Sequence, residues 1–530
     1  MATREFPLDI GSVKAFGVDR WRETCSWPVP DHEFIALADA VEGSVRSAIA
    51  ATPGDVGAAL LIARELPVTL VHMLHARAVV VRVRAAGHEP VCQPAAAWFA
   101  EALGHAASFT ASVGAARAVW MVPAVRLVRW GRGIAANATA VKMAARVRSE
   151  RRIWVAGAPH ALLAEYLAHT PEWVRTLYND ALPPMPDCPV GVRAALRIAA
   201  ASLVDACTGI AQQYAIPTDD AFRDVLRTRT DAMLVDAVRM LLQMRAFVAA
   251  HAVAHVALGS ATQHRQRALA LAVRERGGRV MTAAHGGFVG LFNTAMPTWS
   301  EFALSDTYVT YTDGSADLCR RIHRARLPIV PNPLTIVSGV SGIYRAIRQR
   351  MRPVPAAARI RRVMVIGFPQ NAQRKYTAAA SLGLQQLDLE LRIIEALRDA
   401  GYGVVYKAHP DRLAEVRGMF DGRAEVLAED FHTAHTHADA FVFGSMRTTA
   451  FPIALCTTKP IVALLVDGDP APPFPDALAL LARRVRIVRA ACDDRARVVF
   501  DARALCDAVA QPADPTDTAF LDRYLLPSSD

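Results

Sequence analysis

Short apolar runs alternate with segments of helical periodicity in two stretches of the chain, 253–330 and 361–465. Each apolar run is short enough for one strand and ends in glycine or in small and polar residues. This repeated order of strand, loop and helix is typical of a parallel sheet with helices on both faces. The predicted strands are 253–258, 279–283, 307–311 and 329–330 in the first stretch, and 362–366, 404–406, 440–443 and 461–465 in the second.

Residues 1–250 follow a different pattern, in which long segments carry apolar residues at a spacing near 3.6. We predict an N-terminal α/β unit over 1–340 with helical insertions, a basic linker with two prolines over 341–360, and a C-terminal α/β unit over 361–530. The segment 518–525 is expected to pack back across the two units. The other predicted elements are helices at 31–50, 56–86, 192–215 and 219–250, and strands at 88–93 and 153–156.

Composition indicates a large globular protein that favours anionic partners. A chain of 530 residues is too long for one core, and 52% apolar with 21% charged residues excludes a disordered chain. The net charge of +10 favours nucleotides, anionic lipid or nucleic acid as partners. The eight cysteines form no CxxC pair, which indicates reduced thiols in a cytoplasmic protein and no zinc site.

We predict no transmembrane helix and no signal peptide. Two windows of sufficient length, 246–264 and 280–300, contain no Asp, Glu, Lys or Arg. Both are interrupted by histidine, glycine and other polar residues, whereas a membrane span needs a predominantly apolar run. The N-terminus lacks the basic and then apolar build of a signal peptide.

Residues 117–152 are basic, and their arginines and lysines recur at helical spacing. Arg126, Arg129 and Arg132 lie three apart, so they share one helix face. A solvated face on a basic protein explains this pattern. The alternative is an amphipathic surface that meets anionic lipid on the inner face of the membrane. Nucleic acid is not an expected partner, because the chain has no zinc-finger, RNP or helix-turn-helix signature.

The second stretch contains a group of residues suited to binding an anion. Gly444 and Ser445 end a predicted strand, and Thr448 and Thr449 begin a helix. The backbone N–H groups and the dipole at a helix N-terminus attract phosphate. The hydroxyls add donors, and Arg447 adds a planar guanidinium that matches two phosphate oxygens. The alternative interpretation is ordinary N-capping of the helix by serine and threonine.

Further basic groups follow the neighbouring predicted strands. Lys407 and His409 follow one strand, and Arg374 and Lys375 lie in the loop after another. The carboxyl ends of parallel strands meet at one edge of a sheet, so these groups are expected to converge with Ser445. The sequence therefore predicts a nucleotide site at this edge.

A His-Gly-Gly sequence follows a strand of the first stretch. Gly286 and Gly287 allow backbone to approach a ligand closely, and His285 has the pKa range of a general base. A tight turn with a capped histidine is the alternative. Glu301 is a second candidate base. Asp306 is a third catalytic candidate. Its position favours a strand-start or helix-orienting residue, and the alternative is an acceptor for His285.

Together these motifs resemble those of a family of bacterial surface-carbohydrate transferases. HGGFVG, followed by Glu301 and the run SDTYVTY, is similar to the HGG…E…SD pattern of that family. KAHP and ADAFVFGSMRTTAFPIALCTTKP are similar to its HP and S-x-x-T motifs near the donor site. Capsule-polysaccharide Kdo transferases, bacterial sialyltransferases and CDP-glycerol polymerases share this layout. The similarity spans about 250–465. The family's acidic residue in the helix after the S-x-x-T motif is absent, since Thr449 is followed by Ala-Phe-Pro.

The resemblance implies a GT-B fold, in which two Rossmann-like α/β domains face a cleft, here with a helix-rich N-terminal region. It implies that His285 or Glu301 deprotonates an acceptor hydroxyl, while Arg374 and Lys375 stabilise the leaving nucleotide. The family generally needs no metal or other cofactor, which agrees with the missing DxD motif. The nucleotide and its phosphate are then held by His409, Ser445, Thr448 and Thr449.

The leading functional hypothesis is transfer of a sugar from a nucleotide-activated donor, such as a CMP-linked sugar. The acceptor is a cell-surface polysaccharide, such as capsule or lipopolysaccharide, or a lipid-linked glycan. Three alternatives remain open at this point. They are transfer of a polyol phosphate from a CDP-alcohol, 2-epimerisation of a nucleotide sugar, and a non-catalytic role in membrane-associated assembly.

Overall fold

Two parallel sheets form the centre of the protein. The structure is a computed structural model that describes residues 4–93, 97–102, 152–156, 161–169, 173–177, 182–294, 297–325, 333–339, 342–351, 359–368 and 383–526. The strands in these ranges are β1 (Arg4–Pro7), β2 (His88–Val91), β3 (Arg152–Ala156), β4 (Trp173–Leu177), β5 (His255–Leu258), β6 (Arg279–Ala283), β7 (Thr307–Thr310), β8 (Thr335–Ser338), β9 (Arg362–Ile366), β10 (Gly403–Lys407), β11 (Glu425–Leu427), β12 (Ala440–Phe443), β13 (Ile461–Val466), β14 (Arg486–Cys492) and β15 (Val498–Phe500).

Helices flank both sheets, and the two longest described helices, α8 (Val190–Gln213) and α9 (Asp220–His251), precede β5 in the chain. A π-helical turn at Thr298–Phe302 precedes β7. The α-helices in the described ranges are α1 (Ile10–Phe16), α2 (Val18–Thr24), α3 (Asp31–Ala51), α4 (Gly54–Ile62), α5 (Glu65–Ala85), α6 (Ala97–Ala102), α7 (Ala161–Ala168), α8 (Val190–Gln213), α9 (Asp220–His251), α10 (His264–Glu275), α11 (Asp313–Ala325), α12 (Ile343–Arg350), α13 (Gly383–Asp399), α14 (Leu413–Val416), α15 (Phe431–Ala434), α16 (Ala450–Leu455), α17 (Pro475–Arg484), α18 (Ala502–Ala510) and α19 (Ala519–Tyr524).

The C-terminal sheet has the strand order β11-β10-β9-β12-β13-β14-β15, and its strands pair in parallel except for β15. When the six parallel strands β9 to β14 are numbered 1 to 6 along the chain, their order in the sheet is 3-2-1-4-5-6, which is the order of a Rossmann fold. The order reverses between β9 and β12, so the crevice that such folds use for ligands opens beyond the ends of these two strands. The predicted strands at 362–366 and 440–443 coincide with β9 and β12.

The N-terminal sheet is parallel throughout, with the order β4-β3-β5-β6-β7-β8. Its order reverses between β3 and β5. The strand predicted at 88–93 is present as β2, which pairs in parallel with β1 in a separate two-stranded sheet. The predicted strand at 329–330 lies outside the described residues.

One apolar core lies between the two sheets and joins them. Alternate residues of β9 point to opposite faces, so Met364 and Ile366 enter the shared core while Val363 and Val365 face the other way. The shared core also contains residues of the N-terminal strands, such as Val155 and Val309. This burial on both faces explains why the strands read as nearly continuous apolar runs.

Each end of the chain packs against the sheet-containing half that the other part of the chain forms. Ile10, Val13 and Trp21 of α1 and α2 pack on the far face of the C-terminal sheet, although they precede the N-terminal sheet in the chain. In the opposite direction, α19 packs against α11 of the N-terminal half, as expected for 518–525. There the carbonyl of Arg523 accepts a 2.8 Å hydrogen bond from the Thr312 hydroxyl.

The stretch between the sheets is partly helical. Within the predicted linker, α12 places Tyr344 and Ile347 in the shared core, and its basic residues lie toward solvent. The architecture is therefore GT-B-like: two Rossmann-like α/β domains face each other, and the N-terminal region is rich in helices.

The long helix predicted at 56–86 is broken into α4 and α5. At the corner, Arg64 donates its backbone N–H to the carbonyl of Ile62 over 2.7 Å. Two described helices, α5 and α8, are long and apolar enough to cross a membrane by length and composition alone. Of their most apolar windows, 78% is buried inside the protein for α5 and 44% for α8. The basic stretch 117–152 lies outside the described residues, apart from Arg152 in β3.

Candidate active site

His285 and Glu301 form a hydrogen-bonded pair at the carboxyl end of β6. The Nδ1 atom of His285 donates to a Glu301 carboxylate oxygen over 3.2 Å. The other carboxylate oxygen accepts from the Tyr308 hydroxyl over 2.5 Å. Glu301 is completely buried, whereas the His285 side chain is 35% exposed. The carboxylate therefore sits beneath the imidazole and holds its Nδ1–H, so Nε2 carries the lone pair of the neutral ring.

The charge of Glu301 governs the protonation of both its partners. Burial acts to lower the pKa of His285, but the hydrogen bond and charge of Glu301 outweigh it and raise this pKa above its ordinary value. Burial, followed by the same negative charge, raises the pKa of Tyr308 well above its usual range. The phenol thus remains a donor, and the imidazole gains basicity, as a general base requires.

Asp306 does not join this pair. It lies directly before β7, at the amino-terminal edge of the sheet, whereas His285 follows the carboxyl end of β6. Its carboxylate accepts a 2.8 Å hydrogen bond from the backbone of Val280 and lies 3.6 Å from Arg274. The catalytic role of Asp306 as an acceptor for His285 was therefore wrong, whereas the interpretation as a strand-start residue agrees with these contacts.

The two glycines after His285 are closely packed by protein groups. A Cβ atom at Gly287 would lie 2.4 Å from Leu525 and 2.7 Å from the Tyr344 hydroxyl. A Cβ atom at Gly286 would lie 3.4 Å from Cγ2 of Thr449. Gly287 is therefore needed for the approach of α12 and of the chain after α19, rather than for a ligand. Gly286 brings the His285 loop directly against the C-terminal domain.

The Ser445–Thr449 loop lies at the reversal point of the C-terminal sheet. It connects β12 to α16 and so borders the crevice predicted from the strand order. Gly444 is buried, and a Cβ there would meet α13 at 3.4 Å, so this glycine sets the packing of α13 on the strand end. Among the described residues, the buried Thr448 hydroxyl has no hydrogen-bond partner. A buried hydroxyl without a partner is costly, which favours a ligand group at this position.

Arg447 is occupied by protein groups, contrary to its predicted role as a phosphate ligand. Its Nη2 atom lies 2.9 and 2.7 Å from the two carboxylate oxygens of Asp469 and 2.6 Å from the carbonyl of Ala471. The guanidinium also stacks on the ring of Phe292 in the N-terminal half, 4.6 Å from its centroid. Arg447 therefore fastens the two domains together beside the site.

Four predicted donor residues remain, and the structure describes two of them, Lys407 and His409. Lys407 is buried at the end of β10 and donates to the carbonyl of Ala408 over 2.5 Å. Burial lowers the pKa of Lys407, while the charges of Asp430 and Glu429 act in the opposite direction. His409 is partly exposed at the same edge as Ser445. The other two donor candidates, Arg374 and Lys375, lie outside the described residues.

Sequence reasoning missed three residues that shape the site: Tyr308, Tyr344 and Asp469. Asp469 follows β13, the next strand along the edge that carries Ser445, and this position was a usable signal. Tyr308 lies within the quoted SDTYVTY run, but nothing in the local pattern points it to Glu301. Tyr344 lies in a stretch interpreted as a linker, so no local feature indicates its contact with Gly287.

Comparisons with known proteins give limited guidance. No family model and no curated protein matches the chain. Among solved structures, UDP-GlcNAc 2-epimerase from Methanocaldococcus jannaschii is similar with a TM-score of 0.35 and 10% identity, over 70% of this chain and 96% of that one. UDP-N-acetylglucosamine 2-epimerase from Rickettsia bellii gives 0.38 and 11%, over 70% and 92%. At such TM-scores the strand orders of this protein remain the basis for its fold.

Proposed function

We propose that the protein is a glycosyltransferase that moves a sugar from a nucleotide-activated donor to a hydroxyl of a surface polysaccharide or lipid-linked glycan. The observation that supports this most is the meeting of the two strand-end loops. Gly286, next to the paired His285, is so close to Thr449 that a Cβ on the glycine would be in van der Waals contact with it. A general base thus lies beside the Rossmann crevice of the opposite domain.

The paired imidazole is suited to activating an acceptor hydroxyl. As the acceptor oxygen bonds to the anomeric carbon, Nε2 of His285 takes its proton, and the bond from that carbon to the nucleotide phosphate breaks. The buried carboxylate of Glu301 stabilises the imidazolium that forms, and the nucleotide leaves with the electron pair as an anion. A site closed to water makes this electrostatic support more effective.

The loop after β12 is suited to the donor phosphate. Ser445 and Thr448 supply hydroxyls there, and the Thr448 hydroxyl has no partner among the described side chains and backbone groups. The net charge of +10 favours the approach of an anionic donor.

Thermal stability in the presence of CMP, CDP and UDP tests nucleotide binding. A ligand that binds only the folded protein raises its melting temperature, and we expect at least one nucleotide to do so. Thr448→Val removes only the unpartnered hydroxyl, so we expect this variant to be as stable as the parent without nucleotide and to lose the nucleotide-dependent rise.

Thr230→Val is the matched control for that variant. The Thr230 hydroxyl on α9 is also buried and without a described partner, but it lies in the helical region away from the site. We expect Thr230→Val to keep the full nucleotide-dependent rise. The absence of a rise with all three nucleotides, or an undiminished rise in Thr448→Val, would contradict the proposal.

Product analysis separates the proposed reaction from its alternatives. His285→Gln should bind the nucleotide as the parent does but lose transfer to the acceptor. A donor epimerised at C2 without any acceptor identifies an epimerase, and a product that retains a phosphate between acceptor and polyol identifies a polyol-phosphate transferase. Full biological activity of His285→Gln would indicate a non-catalytic assembly role.

A further inference from the structure

Glu301 lies on a π-helical turn in which two backbone carbonyls accept hydrogen bonds from side chains. A π-turn widens the helix, so its carbonyl groups need partners from outside the regular ladder. The carbonyl of Glu301 accepts from the Ser305 hydroxyl over 2.5 Å and from the Thr282 hydroxyl over 3.2 Å. The carbonyl of Trp299 accepts from Arg267 over 2.9 Å. The turn that carries the carboxylate is therefore held by three side chains from neighbouring elements.

Arg267 joins this turn to two other loops. It lies on α10, is completely buried, and also donates to the carbonyl of Leu61 over 2.9 Å and to that of Ala261 over 3.1 Å. Its guanidinium packs on the ring of Trp299, 5.5 Å from the centroid. The indole N–H of Trp299 in turn donates to the carbonyl of Arg64 over 3.3 Å. The end of α4, the loop after β5 and the π-turn therefore meet at one guanidinium.

The described contacts of Arg267 are unusual for a buried cation. Its hydrogen bonds go to backbone carbonyls, with no ion pair among the described residues, and its Nη2 atom is buried without a partner. Burial, followed by the charge of Arg64, lowers the pKa of Arg267 to about 9, so the side chain stays largely protonated at neutral pH. A buried charge without a paired carboxylate is expensive, so this arginine is a poor choice for stability alone.

We propose that Arg267 is a positioning residue that holds the π-turn in place and thereby keeps the Glu301 carboxylate against His285. Arg267 acts on the turn through Trp299, whose backbone carbonyl and ring it contacts. The catalytic consequence rests on the proposed function, but the effect on the imidazole does not.

The effect on His285 is measurable without any substrate. In full-length protein with ¹³C-labelled histidine, an NMR titration reports the pKa of His285, whose signal is assigned by its loss in His285→Gln. In the parent we expect a raised value. In Arg267→Met the turn loses its central donor, the Glu301 carboxylate is displaced, and we expect the pKa of His285 to fall toward its ordinary value.

Arg484→Met provides the matched control. Arg484 is also a buried arginine that donates to two backbone carbonyls, those of Thr457 and Lys459, each over 2.8 Å. It also has one buried nitrogen without a described partner. We expect its replacement to lower the melting temperature as Arg267→Met does but to leave the pKa of His285 unchanged. This comparison separates positioning from a general loss of packing.

Arg267→Lys keeps the test decisive if Arg267→Met fails to fold. Lysine retains the buried charge but cannot reach three carbonyls in the planar geometry of arginine, so we expect a smaller fall in the same pKa. An unchanged pKa of His285 in a folded Arg267 variant overturns the proposal. Loss of sugar transfer in Arg267→Lys with an unchanged KM for the donor extends the effect to catalysis. If no transfer is found for the parent, the NMR result still stands.

Discussion

The phenolic oxygen of Tyr344 accepts a 2.9 Å hydrogen bond from the backbone N–H of Gly287. This bond fastens the loop after His285 to the helix that connects the two sheets. The same hydroxyl explains the glycine, because a Cβ at Gly287 would lie only 2.7 Å from it. The loop after His285 and the connection between the domains are thus one packed unit.

Removal of the Tyr344 hydroxyl is expected to lower stability. In Tyr344→Phe the partly buried N–H of Gly287 loses this partner, which costs up to about 1–3 kcal/mol. The measurement is the free energy of unfolding in urea. Tyr402→Phe, at a partly exposed tyrosine of the C-terminal domain, serves as the control and should change stability little. Equal losses in the two variants would contradict the importance of this bond.

The His285–Glu301 pair is expected to make stability depend on pH. Because Glu301 raises the folded-state pKa of His285, the pair stabilises the protein fully below the unfolded pKa of about 6.5 and loses this contribution as the pH rises through the folded value. Glu301→Gln keeps an acceptor for Tyr308 but removes the charge. We therefore expect the difference in melting temperature between parent and variant to be larger at pH 6 than at pH 9. A difference that is independent of pH would argue against the charged pair.

The buried pair of Glu390 and Arg412 supports the loops beside the Rossmann crevice. Both side chains are completely buried and lie 2.8 Å apart, and Glu390 also accepts from Tyr406 and from the backbone of Phe368. In Glu390→Gln the arginine charge is left buried without its partner, so we expect a loss of about 3–5 kcal/mol in the free energy of unfolding.

An exposed pair provides the control for that measurement. Glu425 contacts Arg362, and the two side chains are 53% and 45% exposed. Glu425→Gln is expected to cost only about 0–1 kcal/mol. A small effect of Glu390→Gln would contradict this prediction and would mean that water reaches Arg412. We expect no such access, because Arg412 is completely buried.

Arg447 and Asp469 are expected to be energetically coupled. Their side chains are only 22% and 10% exposed, so a double-mutant cycle with Arg447→Ala and Asp469→Ala should give a coupling of about 0.5–3 kcal/mol. The pair of Arg489 and Asp467, which is 65% and 57% exposed, should give a coupling near zero. If Arg447→Ala and Asp469→Ala had independent effects, the two side chains would not interact, and the Arg447 guanidinium would be available to bind phosphate.

Most of the predicted strands and helices agree with the structure. The strands at 279–283, 362–366 and 440–443 coincide with the observed ones, because strands buried on both faces need continuous apolar runs that end in glycine or polar residues. The break between α4 and α5 was not predicted, because both helices are apolar on most faces. Pro67 in the first turn of α5 was a usable signal, since a proline cannot continue a helix from the preceding turn.

The sequence by itself determined that two series of parallel strands carry polar groups at their carboxyl ends, with His285 in one series and Ser445 in the other. Only the tertiary structure decided which of these polar groups are bound by other protein groups. Arg447 pairs with Asp469, and Asp306 lies at the opposite edge of its sheet. Glu301 accepts from Tyr308, and its turn accepts a hydrogen bond from Arg267. The physical reason is that apolar periodicity records which face of an element is buried. The pairing of polar side chains depends on distances between residues remote in the chain, and those distances exist only after the elements have packed.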